Sequence, residues 1–224
     1  MDNKKFKIWV IAGLVVFAGL IVAIIIRALP EKETKTTEVE TTAVTEAVTE
    51  AVTEATTEEA SEEDGTDVIV LSDNTTTQEV IGSPDKETKL EYRKITFTIP
   101  KNWMGSTLPD QNKCFFFYTE HATLMLNRQD LHGADLNSAA GIQSAKEGIE
   151  EGGFSNVTQN RTVSVGDKTG FVFTGEAESN GVKLHGTVMY VQIGNEIYTF
   201  ILATQDDYSY EEDVELILNS VDIK

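Results

Sequence analysis

Cys114-Phe115-Phe116-Phe117-Tyr118 is apolar throughout, and Ile197-Tyr198-Thr199-Phe200-Ile201-Leu202 is nearly so. Successive side chains of a strand point to opposite faces of its sheet, so a sheet wet on one side shows apolar–polar alternation in its central strands. In these two stretches both alternating sets are apolar, which requires cover on both faces. Two helical patterns supply candidate covers. Ala139, Ile142, Ala145 and Ile149 recur at helical spacing, and Gly152-Gly153 ends that helix. Ser209 and Glu212 are spaced as a capping box, after which Tyr210, Val214, Ile217, Leu218 and Val221 trace one apolar stripe. The expected fold is α+β, a mostly antiparallel sheet covered by helices on both faces, in short an α/β/α sandwich.

Strand signals fill the rest of the C-terminal part. Residues 92–99 alternate into Pro100, and residues 114–118 and 123–126 make a hairpin around His121. Four more runs follow the first helix, at residues 157–165, 169–175, 182–193 and 196–204. Val165-Gly166-Asp167-Lys168, Ser179-Asn180-Gly181 and Gly194-Asn195 separate them, and such tight connections make antiparallel neighbours. The folded domain is therefore expected over residues 89–224, a length of about 136 that buries roughly two-thirds of the chain's surface. The single cysteine, Cys114, excludes an internal disulfide.

Upstream the composition changes twice. Residues 8–26 are uncharged and mostly Ile, Val, Leu, Ala and Gly; as a helix they span ~28 Å, about one bilayer core. Lys4, Lys5 and Lys7 precede the run and a strongly acidic segment follows Arg27, which keeps residues 1–7 cytoplasmic and exports the remainder. The run exceeds the usual length of a signal-peptide core, and Arg27-Ala28-Leu29-Pro30 is a poor cleavage site, so residues 8–27 are read as a retained transmembrane helix. A lipid anchor would need a cysteine just after the run. Gly19 and Ala23 form a small-xxx-small pair, too common in such a span to predict dimerisation.

Residues 31–64 hold 12 acidic residues against 2 lysines, with 10 threonines and no aromatic residue. Such a segment buries too little apolar surface to offset the entropy of ordering. Its short repeat, Ala43-Val44-Thr45-Glu46 continued through Glu54, stacks like charges on any helix it forms. Residues 28–88 are thus expected to be a disordered, acidic, Thr/Glu-rich stalk and linker, within which Val68-Ile69-Val70-Leu71 suits a short strand or docked segment.

Ile95-Thr96-Phe97-Thr98-Ile99-Pro100-Lys101-Asn102-Trp103 resembles the SFxxPxxW opening of PsbP-like domains, the family of the photosystem II extrinsic subunit and its DcrB-type bacterial relatives. Gly170-Phe171-Val172-Phe173-Thr174-Gly175, the long hairpin through Gly194, Tyr198-Thr199-Phe200 and the terminal Asn219-Ser220-Val221 are similar too. The resemblance covers nearly all of residues 89–224. It implies an α/β/α sandwich with an extracytoplasmic accessory role, and it brings no catalytic residues. Residues 65–224 carry 24 acidic against 12 basic side chains. That departs from a basic docking surface, and nothing supports a photosystem role.

No catalytic, cofactor-binding or metal-binding residue is assigned. His121, His132 and His185 lack metal-ligand spacing, and Cys114 lies among phenylalanines, where a thiol is usually buried and inert. Asp206, Asp207, Glu211, Glu212, Asp213 and Glu215 are acids at a helix start, which the macrodipole already favours, and they lack a calcium-loop spacing. Asn74-Thr75-Thr76, Asn156-Val157-Thr158 and Asn160-Arg161-Thr162 match the glycosylation triplet, which is frequent by chance. No serine elbow, phosphate loop or paired-cysteine motif occurs.

With a formal net charge of −19, nucleic acid is a poor partner. The expected function is a non-catalytic binding or accessory module of the bacterial envelope, with no cofactor. It would be anchored in the cytoplasmic membrane through residues 8–27 and would engage an envelope protein or small ligand. The alternative is a cell-surface hydrolase with a site assembled from Cys114 and the histidines.

Overall fold

Twelve strands and two helices form a computed structural model that describes residues 68–72, 80–107, 114–131, 133, 135–179 and 181–224. The expected cytoplasmic N-terminus, the transmembrane helix and the stalk up to residue 67 lie outside the described residues, as do residues 73–79. Among the described residues no helix is long and apolar enough to cross a membrane.

The strands are β1 (Val68–Leu71), β2 (Val80–Ile81), β3 (Thr88–Tyr92), β4 (Ile95–Ile99), β5 (Met104–Thr107), β6 (Cys114–Tyr118), β7 (Ala122–Asp130), β8 (Ser155–Val165), β9 (Lys168–Ser179), β10 (Val182–Ile193), β11 (Glu196–Gln205) and β12 (Asp222–Ile223). Helix α1 (Ala139–Glu151) lies between β7 and β8, and α2 (Glu211–Asn219) follows β11. Eight strands make a large sheet in the order β2-β5-β6-β7-β11-β10-β9-β8, antiparallel throughout. A second sheet has the order β1-β3-β4-β12, with β1 parallel to β3 and the other pairs antiparallel.

The large sheet is dry on both faces, as its all-apolar strands require. Phe115 and Phe117 join one buried cluster with Leu124, Met189, Phe200 and Leu202. Phe116, one residue out of phase, joins the opposite cluster with Met125, Val188, Tyr190 and Ile201. Helix α1 closes the second face through Ala145 and Ile149. It starts at Ser138, whose hydroxyl accepts the Gly141 amide, and ends at Gly152, followed by Gly153 at φ 101°. Helix α2 closes the first face through Ile217 and Leu218, with Val221 just beyond it.

Helix α2 does not close that face alone, which corrects the single-sheet expectation. Leu90, Tyr92, Ile95, Phe97 and Ile99 of the second sheet are fully buried against it, and Phe97 meets Phe117 and Phe200 edge-on at 5.9 and 5.4 Å. Residues 92–99, expected as one strand, belong to a β3–β4 hairpin that turns at Arg93, φ 53°, and Lys94. Neither turn residue is a glycine or proline, so the run reads as continuous. β1 and β2 extend the pairing upstream of residue 89.

The capping box is the second correction. Helix α2 begins one residue later than expected: its N-cap is Tyr210, which makes no side-chain capping bond. Glu211, Glu212 and Asp213 occupy the first turn, where the helix dipole favours acids. Tertiary contacts fix this turn instead. Trp103 Nε1 donates to Asp213 Oδ2 at 2.7 Å, and Thr119 Oγ1 donates to the Tyr210 hydroxyl at 3.0 Å.

Candidate functional site

Where the second sheet and α2 stop covering the large sheet, a groove of about 670 Å³ opens between the far ends of β8–β11 and the segment leading into α2. Strand periodicity explains its floor. On β10 the residues sharing the face of Met189 and Val191 are Thr187 and His185; on β9 Thr174 follows Val172, and on β11 Thr204 follows Leu202. The same face thus runs from apolar to polar along each strand. Thr174 and Thr187 are direct cross-strand partners, as are His185 and Thr204.

The hydroxyls of the floor differ in what they hold. Thr174 Oγ1 lies 3.4 Å from Thr158 Oγ1, and Thr204 Oγ1 donates to the His185 carbonyl at 3.4 Å. Thr187 is 7% exposed and lines the groove.

The walls carry charge. Arg161 of β8 donates to Glu215 Oε1 of α2 at 2.5 Å, and both line the groove. Asp206, Asp207 and Glu211 also line it, exposed and without an ion pair among the described residues. Tyr208, 46% exposed, stacks on His121 with ring centroids 3.5 Å apart and planes 11° from parallel. His121 Nδ1 is buried without a hydrogen-bond partner among the described residues, and its Nε2 lies 3.7 Å from Glu120 Oε1.

The structure separates Cys114 from His121 and His185. Cys114 stands at the start of β6 and packs in the α1-side cluster, whereas His121 sits in the turn at the other end of that hairpin. Burial pushes the Cys114 thiol up to about 12. His185 is exposed on the groove floor, on the opposite face from Cys114. His132 and the Asn74 triplet lie outside the described residues. Asn156 and Asn160 are exposed on β8; Asn156 Nδ2 donates to Glu176 Oε2 at 2.9 Å, and Asn160 lines the groove. The acidic run is divided: Asp206, Asp207, Glu211 and Glu215 line the groove, whereas Asp213 holds Trp103. No group of three or more potential metal ligands occurs among the described residues.

A second polar cluster occupies the other end of the same sheet face. Arg128, with a side chain 3% exposed, donates to Glu196 Oε1 at 2.6 Å and Asp130 Oδ1 at 3.1 Å. Lys94 Nζ reaches Glu196 Oε2 at 2.6 Å, and the Tyr198 hydroxyl donates to the same oxygen at 3.3 Å. Burial works against the Glu196 charge, but Lys94 and Arg128 outweigh it and hold the carboxyl below its ordinary range. Burial also opposes the charge on Arg128, yet its hydrogen bond with Tyr92 and the Glu196 carboxylate keep it above its ordinary value. Burial and Glu196 push Tyr198 up to about 12. These groups tie the β3–β4 turn to β7 and β11.

The groove threonines, Arg161 and Tyr208 escaped the sequence reading. Their signal is present in hindsight: His185, Thr187, Thr174 and Thr204 are polar interruptions on a face otherwise apolar.

No protein-family model matches the chain, and no curated protein matches it. Solved structures that it resembles include a cyanobacterial PsbP from Synechocystis, with 10% identity and TM-score 0.46, covering 68% of this chain and 95% of that one. LpqN of Mycobacterium tuberculosis, described as involved in cell envelope biogenesis, has 17% identity and TM-score 0.43 over 68% of this chain and 93% of that one. A Bacteroides thetaiotaomicron protein has 14% identity and TM-score 0.40 over 58% of this chain, which spans only 45% of that protein's length. PsbP is the family whose motif Ile95–Trp103 resembles. These likenesses concern the fold alone.

Proposed function

We propose that this chain is a non-catalytic binding module displayed outside a bacterial cytoplasmic membrane. Residues 8–27 anchor it, the acidic segment spaces it from the bilayer, and the groove receives an envelope partner or small ligand. One observation carries the reading: the groove is lined by hydroxyls, carboxylates and one histidine, while the chain's only thiol is buried on the opposite sheet face. A Cys–His nucleophile needs its two groups within hydrogen-bond reach, and strand β6 holds Cys114 and His121 apart. A concave site with several convergent polar groups, set apart from the buried thiol, suits recognition.

The test combines topology with reactivity. Protease added to intact spheroplasts should remove residues 89–224 and leave an N-terminal stub; full protection of the domain would overturn the exported placement. With the purified full chain in detergent, hydrolysis of ester or amide substrates that disappears in Cys114→Ala or His185→Ala would overturn the non-catalytic reading.

A further inference from the structure

We infer that the groove binds an uncharged saccharide, with the apolar face of a gluco-configured pyranose laid on the Tyr208 ring and its hydroxyls turned to the groove floor. The inference rests on reading the groove as a binding site and adds the class of ligand it takes.

Tyr208 is the one exposed Phe, Tyr or Trp ring among the described residues, and it lies in the lining of the groove. A surface tyrosine is ordinary where it is free to swing. This one is held. The His121 imidazole covers one of its faces at a centroid distance of 3.5 Å, so its exposed area belongs to the opposite face and the edge. Backbone bonds fix the segment that carries it: Tyr208 N donates to the Gln205 carbonyl at 3.1 Å, Gln205 N to the His121 carbonyl at 3.0 Å, and Asp206 N to the Lys183 carbonyl at 3.2 Å. Behind the imidazole, Thr119 Oγ1 accepts the His121 and Ala122 amides at 3.3 and 3.1 Å. An aromatic ring set in place before a ligand arrives offers apolar contact at little further ordering cost.

The groups around the ring select what lies on it. Thr174, Thr187 and Thr204 make the floor, and Asn160, Gln205 and Asp207 join them in the lining. Together they present both donors and acceptors. A purely apolar ligand would strip water from these groups without replacing its hydrogen bonds. An anion would face the carboxylates of the wall, because Arg161, the one Lys or Arg of the lining, is bonded to Glu215. A pyranose answers both halves of the site: its axial C–H bonds form a flat apolar face, and its hydroxyls both donate and accept. The gluco configuration keeps its ring hydroxyls equatorial, which leaves that face clear for stacking. The volume of about 670 Å³ falls within the usual ~300–1,000 Å³ of small-ligand sites.

The experiment is ligand-observed NMR titration of the full chain, in a detergent without a sugar headgroup, with cellobiose and N,N′-diacetylchitobiose. Glucuronate, 1,5-pentanediol and a lysine-containing tripeptide serve as controls. Saturable binding of at least one disaccharide is expected, with each control at least about tenfold weaker. Tyr208→Ala should weaken the disaccharide about tenfold and Tyr208→Phe should retain it, whereas His121→Ala, which frees the ring, should cost about threefold. Melting temperatures establish that the variants are folded. Should Tyr208→Ala not fold, Overhauser contacts between pyranose axial protons and the Tyr208 ring in the parent chain decide the matter, and their absence overturns the inference. It is equally overturned if neither disaccharide binds saturably, or if their affinity ignores Tyr208→Ala in the folded variant. Tyr208-dependent binding of glucuronate or the tripeptide, with no disaccharide binding, would overturn the saccharide chemistry and leave the binding module standing.

Discussion

Along the sheet face that carries Phe115 and Phe117, the polar residues of the Glu196 end are tied to one another, whereas at the Thr187 end one hydroxyl faces an open groove. At the first end, Arg128 and Glu196 are buried and share Lys94, Asp130 and Tyr198 as partners; only Arg128 Nε lacks one among the described residues. At the second, Thr187 is as buried as Glu196 but lines a groove, and Asp206, Asp207 and Glu211 there have no ion pair among the described residues. Burial alone does not separate the two ends; the partners that the chain supplies do. A buried polar group whose partners come from the chain holds the fold, whereas one that lines a groove stays open to solvent or to another molecule.

The largest effects belong to the closed end and the core. Arg128→Ala leaves Glu196 buried beside a vacated site and should cost ~3–5 kcal/mol in urea unfolding. Phe117→Ala and Phe116→Ala remove rings from opposite faces and should each cost ~3–5 kcal/mol. If one were nearly silent, within ~0.5 kcal/mol as for a surface change, the large sheet would be wet on that side.

A smaller effect depends on pH. The folded Glu196 carboxyl titrates below its ordinary value of 4.5. Its stabilisation is therefore complete above pH 4.5 and is lost as pH falls through the depressed folded value. Glu196→Gln should be less stable at neutral pH and should show a shallower acid limb below pH 4.5. An unchanged acid limb would mean that other carboxylates set it. At the thiol, burial to about 12 predicts that Cys114 resists iodoacetamide at pH 8 in the folded chain and reacts once urea is added.

The closed end and the open end were not equally legible in the sequence. The two-faced sheet could be read because Phe115, Phe116 and Phe117 leave no polar phase, and β6 and β10 fall at the residues their patterns mark. Helix α1 could be read from Ala145 and Ile149 with Gly152-Gly153 behind them. The β3–β4 turn could not, because Arg93 and Lys94 carry no turn signature and the positive φ of Arg93 is imposed by the hairpin. The cap of α2 could not, because Trp103, more than a hundred residues away, fixes Asp213 and decides where that helix begins. The groove was hidden for a related reason. Thr174, Thr187 and Thr204 come from three strands, and only the register brings them together. Local pattern shows what a segment needs buried, whereas long-range pairing decides which polar residues find partners.

The contrast between the ends is tested most directly by urea unfolding of Thr187→Val and Arg128→Ala, measured on the full chain under one condition. The account predicts that Arg128→Ala loses ~3–5 kcal/mol, while Thr187→Val, which exchanges a hydroxyl lining the groove for a methyl group, stays within ~0.5 kcal/mol of the parent. A loss above ~1.5 kcal/mol in Thr187→Val would mean that its hydroxyl already serves the fold, and the groove would lose its claim to be a site.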